Sequence, residues 1–144
     1  MTTLQQTDER YADLIEAAKL ARTFARADHS CFKVGSALLG QSGKIYTGCN
    51  IETVTFTSTC AERVALLKAI SEGESEYTCI AIVADTNRLT PPCGTCRQHL
   101  WEFCGDIPVI LANLNGDRLY FQMSALLPVP FDKSLIADQC NTNE

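Results

Sequence analysis

Thr59–Phe103 reads TCAERVALLKAISEGESEYTCIAIVADTNRLTPPCGTCRQHLWEF. Its first part, Cys60 to about Ile70, places Ala61, Val64, Ala65, Leu67 and Lys68 at helical spacing and meets stop signals at Ser71–Gly73. Cys79–Ala84 is an unbroken apolar run, as in a central strand covered on both faces. Thr90-Pro91-Pro92 interrupts the chain, and Cys93 to about Phe103 is helical again. A helix, a wholly apolar strand and a second helix make the pattern of a layered α/β fold.

On the N-terminal side, residues 8–27 carry Tyr11, Leu14, Ile15, Ala18, Ala21 and Ala25 on one helical face, with Thr7 or Asp8 suited to cap it. Val34–Leu39 and Ile45–Gly48 flank Gln41-Ser42-Gly43-Lys44, which predicts a hairpin. On the C-terminal side, Pro108–Ala112 reads as a buried strand, Leu119–Phe121 as a short one, and Ser124–Leu127 as a helical turn. The order α β β α β α β β predicts a three-layer α/β/α sandwich around a central mixed five-stranded sheet. The hairpin strands are antiparallel, and strands reached through helices should run parallel by right-handed crossovers. The chain reads as a single domain over 1–144, with flexible ends at about 1–7 and 136–144.

Hydrophobic residues make up 46% of the chain and charged residues 20%, an ordinary globular composition. No apolar run approaches the roughly eighteen residues of a membrane helix, so no membrane partner is expected. MTTLQQTDERYADL has early acids and no apolar centre, which excludes a signal peptide and predicts a cytoplasmic protein. The net charge of −5, with Arg22 and Arg26 as the densest positive pair, argues against a nucleic-acid backbone as the main partner and points to a small molecule. In the reducing cytosol, the eight cysteines are core residues or ligands rather than disulfides. Cys49, Cys79 and Cys104 sit in or beside apolar runs and read as core; Cys140 lies in a polar tail, and Cys31 has no clear assignment.

Two segments carry chemistry: Thr59-Cys60-Ala61-Glu62-Arg63 and Pro91-Pro92-Cys93-Gly94-Thr95-Cys96-Arg97-Gln98. Cys-x-x-Cys at a helix start puts two sulfurs on one turn at the positive end of the helix, where thiolates are favoured. Cys60, at the start of the other helix, supplies a third. Three protein ligands leave one position of a tetrahedral zinc open, which is the catalytic arrangement rather than the structural one. Glu62 stands beside that position without being needed as a ligand, so it can carry protons between an activated water, a ring nitrogen and a leaving amine. A third Cys or a His, a Glu and P-C-x-x-C together form the signature of zinc-dependent cytosine deaminases.

The ordered set Phe32-x-Val34-Gly35-x-Ala37-Leu38, Gly48-Cys49-Asn50-Ile51-Glu52, Cys60-Ala61-Glu62-Arg63, Pro92-Cys93-Gly94-x-Cys96-Arg97-Gln98 and Leu126-Leu127-Pro128 resembles the cytidine deaminase family, in its small homotetrameric branch with an all-cysteine zinc site. The resemblance runs from about Ala18 to Leu135. It implies Zn²⁺ held by Cys60, Cys93 and Cys96, with Glu62 as the catalytic acid and base. It also implies that Asn50 and Glu52 bind the sugar, Phe32 stacks on the pyrimidine, and the Ala61 N–H reads the base edge with Glu62. Phe131 would close a neighbouring subunit's pocket in a homotetramer. Arg63 would compensate the one net negative charge of three thiolates on a divalent zinc.

The implied reaction is hydrolysis of cytidine and 2′-deoxycytidine to uridine and deoxyuridine with release of ammonia, in pyrimidine salvage. The family pattern is altered at Thr53, Val54, Phe56 and Thr57, where Asn, Ala, Tyr and a small residue are usual, and at Asp28-His29-Ser30-Cys31. By the resemblance, both stretches would belong to the sugar side and to subunit contacts. The rival substrates are a modified or antibiotic cytosine nucleoside of the blasticidin S kind and, less suited to the charge, a polynucleotide. A silent zinc-binding scaffold is a reading of another class, opposed by Glu62, which a scaffold does not need. His29 reads as a turn or interface residue, and His99 as structural.

Overall fold

The computed structural model describes residues 9–140. The elements are α1 (Glu9–Arg22), β1 (Val34–Gly40), β2 (Ile45–Cys49), α2 (Ala61–Ser71), β3 (Tyr77–Ala84), α3 (Gly94–Cys104), β4 (Pro108–Ala112), β5 (Arg118–Gln122), α4 (Met123–Leu126) and α5 (Lys133–Cys140). The sheet order is β2-β1-β3-β4-β5. Pairing is antiparallel except between β3 and β4. The expected mixed five-stranded sheet is therefore present, with helices on both faces.

Strand alternation sorts the two faces. Ala37, Leu39, Ala81, Val83, Ile110 and Ala112 point to one side and pack under Leu14, Ile15 and Ala18 of α1. Leu38, Ile80, Ile82, Val109 and Leu111 point to the other, against Ala65, Leu66 and Ala69 of α2 and Leu100 of α3. The three inner strands read as continuous apolar runs because both of their faces are covered. Two glycines let helices approach the sheet closely. A Cβ on Gly35 would sit 1.9 Å from the Ala18 carbonyl of α1, and one on Gly48 would sit 2.3 Å from the Ala61 carbonyl of α2.

The structure departs from the sequence reading in three places. The first helix was expected to reach residue 27, but α1 ends at Arg22 and tightens through i→i−3 bonds at Thr23, Phe24 and Ala25. A competing demand ends it: the Arg26 N–H donates to the Asn50 carbonyl at 2.9 Å, and the Arg26 carbonyl accepts from the Glu52 N–H at 2.8 Å. The strands reached through helices run in the same direction, as expected, but β2 and β3 do so with β1 lying between them, whereas β3 and β4 are neighbours. A helix, α5, also occupies 133–140, where no element was expected. The proposed caps Thr7 and Asp8 lie outside the described residues, as do 1–7 and 141–144 of the expected flexible ends.

Candidate active site

β2 and β3 flank the antiparallel β1, so their carboxyl ends and the start of β1 meet along one edge of the sheet. The loops leaving those two strands lead into α2 and α3, whose N-termini both open on this edge. In open α/β sheets, such an edge is where ligands bind.

Cys60 caps α2 and Cys93 caps α3, both in extended backbone, and neither side chain is used for capping. Cys96 lies one turn into α3, buried. The three Sγ atoms lie within 4.8 Å of one another, and those of Cys60 and Cys93 are 3.6 Å apart. A tetrahedral zinc with Zn–S bonds of about 2.3 Å has sulfur–sulfur edges of about 3.8 Å, so the spacing suits that ion. The ionisation of the cluster leads to the same conclusion. An S–H bond from Cys96, aided by Arg63, lowers the Cys60 thiol to about 5. The same contact and burial push Cys96 well above the ordinary thiol range. One thiolate forms readily and a second is resisted, a penalty that a divalent cation removes. Among the described residues no fourth His, Cys, Asp or Glu joins the cluster, which leaves a tetrahedral ion one open position.

Glu62 is only 4% exposed. Burial pushes its carboxyl above the ordinary range, partly offset by its bond with Cys96. Ala61 is the first residue of α2 and wholly buried, so its N–H lacks an intrahelical acceptor. The Arg63 Nη2 donates to the Cys60 sulfur at 3.5 Å and to the Ser58 carbonyl at 3.3 Å. Its Nε is buried without a partner.

A cavity of about 250 Å³ opens beside this cluster. Cys60, Ala61, Glu62 and Cys93 line it, together with Ser30, Phe32, Asn50 and Glu52. Among the described residues, no Lys or Arg lines it. Asn50 braces the segment that carries Phe32: its Oδ1 accepts from the Val34 N–H at 2.9 Å and its Nδ2 donates to the Phe32 carbonyl at 2.7 Å. The Glu52 carboxylate accepts from the N–H groups of His29 and Ser30 at 2.9 Å each, and from the Ser30 hydroxyl. Phe32 itself is 42% exposed at the cavity wall.

Of the residues expected at the site, these come together; Phe131 does not line the cavity of its own chain and is 60% exposed. Sequence reasoning overlooked Ser30, although a Ser two places before the expected stacking Phe in a turn-forming stretch was a usable signal. In the altered loop, the Thr53 hydroxyl meets those of Thr55 and Thr57 at 3.1 and 3.0 Å. Phe56 is 82% exposed with φ 59°, and its ring lies 5.7 Å from that of His29, so two unusual positions pack together. Cys79 is buried, Cys49 and Cys104 are half-buried, and Cys31 is exposed. The side chain of Cys140 lies outside the described residues. The His99 Nδ1 bonds the Thr95 carbonyl on its own helix at 2.8 Å.

Comparison with known proteins agrees with this geometry. The family model described as "Cytidine and deoxycytidylate deaminase zinc-binding region" matches residues 7–112. A cytidine deaminase of Sporosarcina psychrophila is 48% identical over 122 residues, covering 83% of this chain and 90% of that one. The crystal structure of a cytidine deaminase from Burkholderia pseudomallei superposes with a TM-score of 0.82 at 41% identity, covering 84% of this chain and 98% of that one. A blasticidin-S deaminase of Bacillus cereus is more distant, 25% identical over 131 residues, covering 85% of this chain and 92% of that one.

Proposed function

The chain belongs to the zinc-binding cytidine and deoxycytidylate deaminase family, and from that premise we propose the residue roles by which it converts cytidine to uridine and ammonia. It is a hydrolase acting on the C–N bond of a cyclic amidine. One observation carries the assignment of roles: a buried carboxyl, Glu62, shares a cavity with a three-sulfur cluster that has an open side.

Cys60, Cys93 and Cys96 would hold the zinc. When bound, the metal supplies a Lewis acid that makes water nucleophilic near neutral pH. Glu62 delivers a proton to N3, which makes C4 more electrophilic. It takes a proton from the attacking water as the C4–O bond forms, and passes one to the exocyclic nitrogen so that the C4–N bond breaks and ammonia departs. It then takes the remaining proton from the C4 hydroxyl as the carbonyl forms, which returns the carboxyl to its starting state. The Ala61 N–H and Glu62 hold the base edge, and Phe32 offers a face for the pyrimidine. Arg63 donates to a ligand sulfur and so lessens its charge. Asn50 and Glu52 form the sugar end, with one acceptor site on the Glu52 Oε2 left for a sugar hydroxyl.

A nucleoside suits this cavity better than a nucleotide. Among the described residues, a 5′-phosphate would meet no cation on the walls and one ionised carboxylate, Glu52, whose pKa is lowered chiefly by its bonds from Ser30. The reading therefore takes cytidine and 2′-deoxycytidine as the substrates and salvage of pyrimidines in the cytoplasm as the role. It takes the assembly to be a homotetramer in which Phe131 reaches a neighbour's cavity. Its exposure, and its place outside the lining of its own cavity, support that assignment. The altered loop 53–58 is the feature that favours a second reading, a modified or antibiotic nucleoside.

An ammonia-release assay on cytidine, 2′-deoxycytidine, cytidine 5′-monophosphate, cytosine and blasticidin S separates these readings. Turnover of the first two, with the monophosphate and the free base poor, is expected. Preference for blasticidin S would favour the second reading, and turnover of none would leave a zinc-binding scaffold.

A further inference from the structure

Arg97 and Gln98 follow Cys96 directly on α3, and the chemistry above uses neither. The Arg97 Nε donates to the Pro92 carbonyl at 2.8 Å, and its Nη1 donates to the Leu126 carbonyl, also at 2.8 Å. The Gln98 Nε2 donates to the Phe131 carbonyl at 2.6 Å. Two consecutive side chains therefore hold both ends of the arch Leu126-Leu127-Pro128-Val129-Pro130-Phe131.

The arch does not adopt this shape by local preference. Val129 has φ 52°, a left-handed conformation that a β-branched residue rarely takes, and the following Pro130 disfavours helical backbone there as well. Val129 is 97% exposed, so its own side-chain packing does not hold it. Strained backbone of this kind persists where surrounding bonds over-determine it, and the clamps at 126 and 131 flank the strained residue.

The Nε of the same guanidinium holds the residue that precedes Cys93. The Pro92 carbonyl belongs to the peptide unit that enters Cys93, so fixing it fixes the plane from which the Cys93 side chain departs. The Cys93 thiol makes no capping bond of its own. We propose that Arg97 is a positioning residue for the metal centre. It ties the turn carrying Cys93 to the clamped arch, so the third vertex of the sulfur triangle is set before an ion arrives. The proposal rests on reading Cys60, Cys93 and Cys96 as zinc ligands. A lysine cannot replace the arginine, because a single ammonium lacks the planar fork that reaches two carbonyls at once.

The test is the rate at which zinc passes from the zinc-loaded full-length protein to a chelating indicator, read beside the melting temperature. Arg97→Lys should release zinc about 10–100-fold faster than the wild type, the usual scale for losing an outer partner of a metal ligand. Leu14→Ala serves as the control. It opens a cavity under α1 on the far face of the sheet and should lower melting without hastening release. If Arg97→Lys releases zinc no faster than Leu14→Ala, Arg97 is only a stabilising contact and the proposal falls. If Arg97→Lys does not fold, Gln98→Leu, which frees the far end of the arch, decides: release faster than from Leu14→Ala supports the proposal, and equal release overturns it. Wild-type protein that purifies with no zinc would instead overturn the ligand reading itself.

Discussion

Ser30 and Glu52 are joined by two hydrogen bonds, the Ser30 hydroxyl to Oε2 at 2.5 Å and the Ser30 N–H to Oε1 at 2.9 Å. The same hydroxyl accepts from the Phe32 N–H at 3.0 Å. One residue therefore orients both the Glu52 carboxylate and the backbone of Phe32.

Ser30→Ala is predicted to raise KM for cytidine while kcat stays near the wild-type value, the signature of lost uniform binding. It should also change the pH profile. Ser30 is the largest cause of the lowered Glu52 pKa, and a lowered carboxyl contributes its ionised form down to a lower pH before losing it. Without the hydroxyl that loss comes earlier as acid is added, so the acid limb of kcat/KM moves to higher pH. An unmoved limb would contradict the coupling.

Glu62→Gln should fold and retain about one zinc per chain. Glutamine keeps the shape at the open side of the cluster but cannot exchange protons. Turnover should fall by about 10²–10⁴, the range for general acid–base catalysis. Metal analysis and steady-state rates on the same preparation check both halves, and near-normal turnover would assign the proton transfer to another group.

Gly48→Ala should destabilise the fold by about 1–3 kcal/mol, the cost of overpacking. Its Cβ would meet the Ala61 carbonyl at 2.3 Å and the Ala65 N at 2.5 Å, so α2 must shift away from β2. Because that helix carries Glu62 and begins beside Cys60, activity should fall as well. Denaturant unfolding and kcat/KM measure the two effects, and a variant unchanged in both would mean that the helix yields without consequence.

Restoring Asn, Ala and Tyr at positions 53, 54 and 56 should change the preference between cytidine and deoxycytidine through KM more than through kcat. Val54 and Phe56 are exposed and off the cavity wall, and the Thr53 hydroxyl is engaged within its own loop. Kinetics of the triple variant on both nucleosides test this. A collapse of kcat alone would place the loop on the chemistry side.

Much of this arrangement was legible in the chain. Runs such as CIAIVA, and the cysteines opening two helices, are local signals whose meaning depends little on distant residues. What escaped depends on tertiary partners. The end of α1 is set by the bonds of Arg26 to Asn50 and Glu52, segments far apart in sequence. Ser30 acquires a role only when β2 brings Glu52 beside it. The arch held by Arg97 and Gln98 was invisible because no local propensity favours Val129 at positive φ.

The sulfur triangle joins two helix starts 33 residues apart in the chain. An ion bound there closes a loop, and the unfolded chain does not preform such a site, so binding free energy becomes folding free energy. Stability is then a function of metal concentration as well as of sequence. At a free-zinc concentration a thousandfold above the dissociation constant, linkage adds about 4 kcal/mol to the folded state. A cell short of zinc would therefore hold less of this protein, quite apart from how fast each surviving copy works.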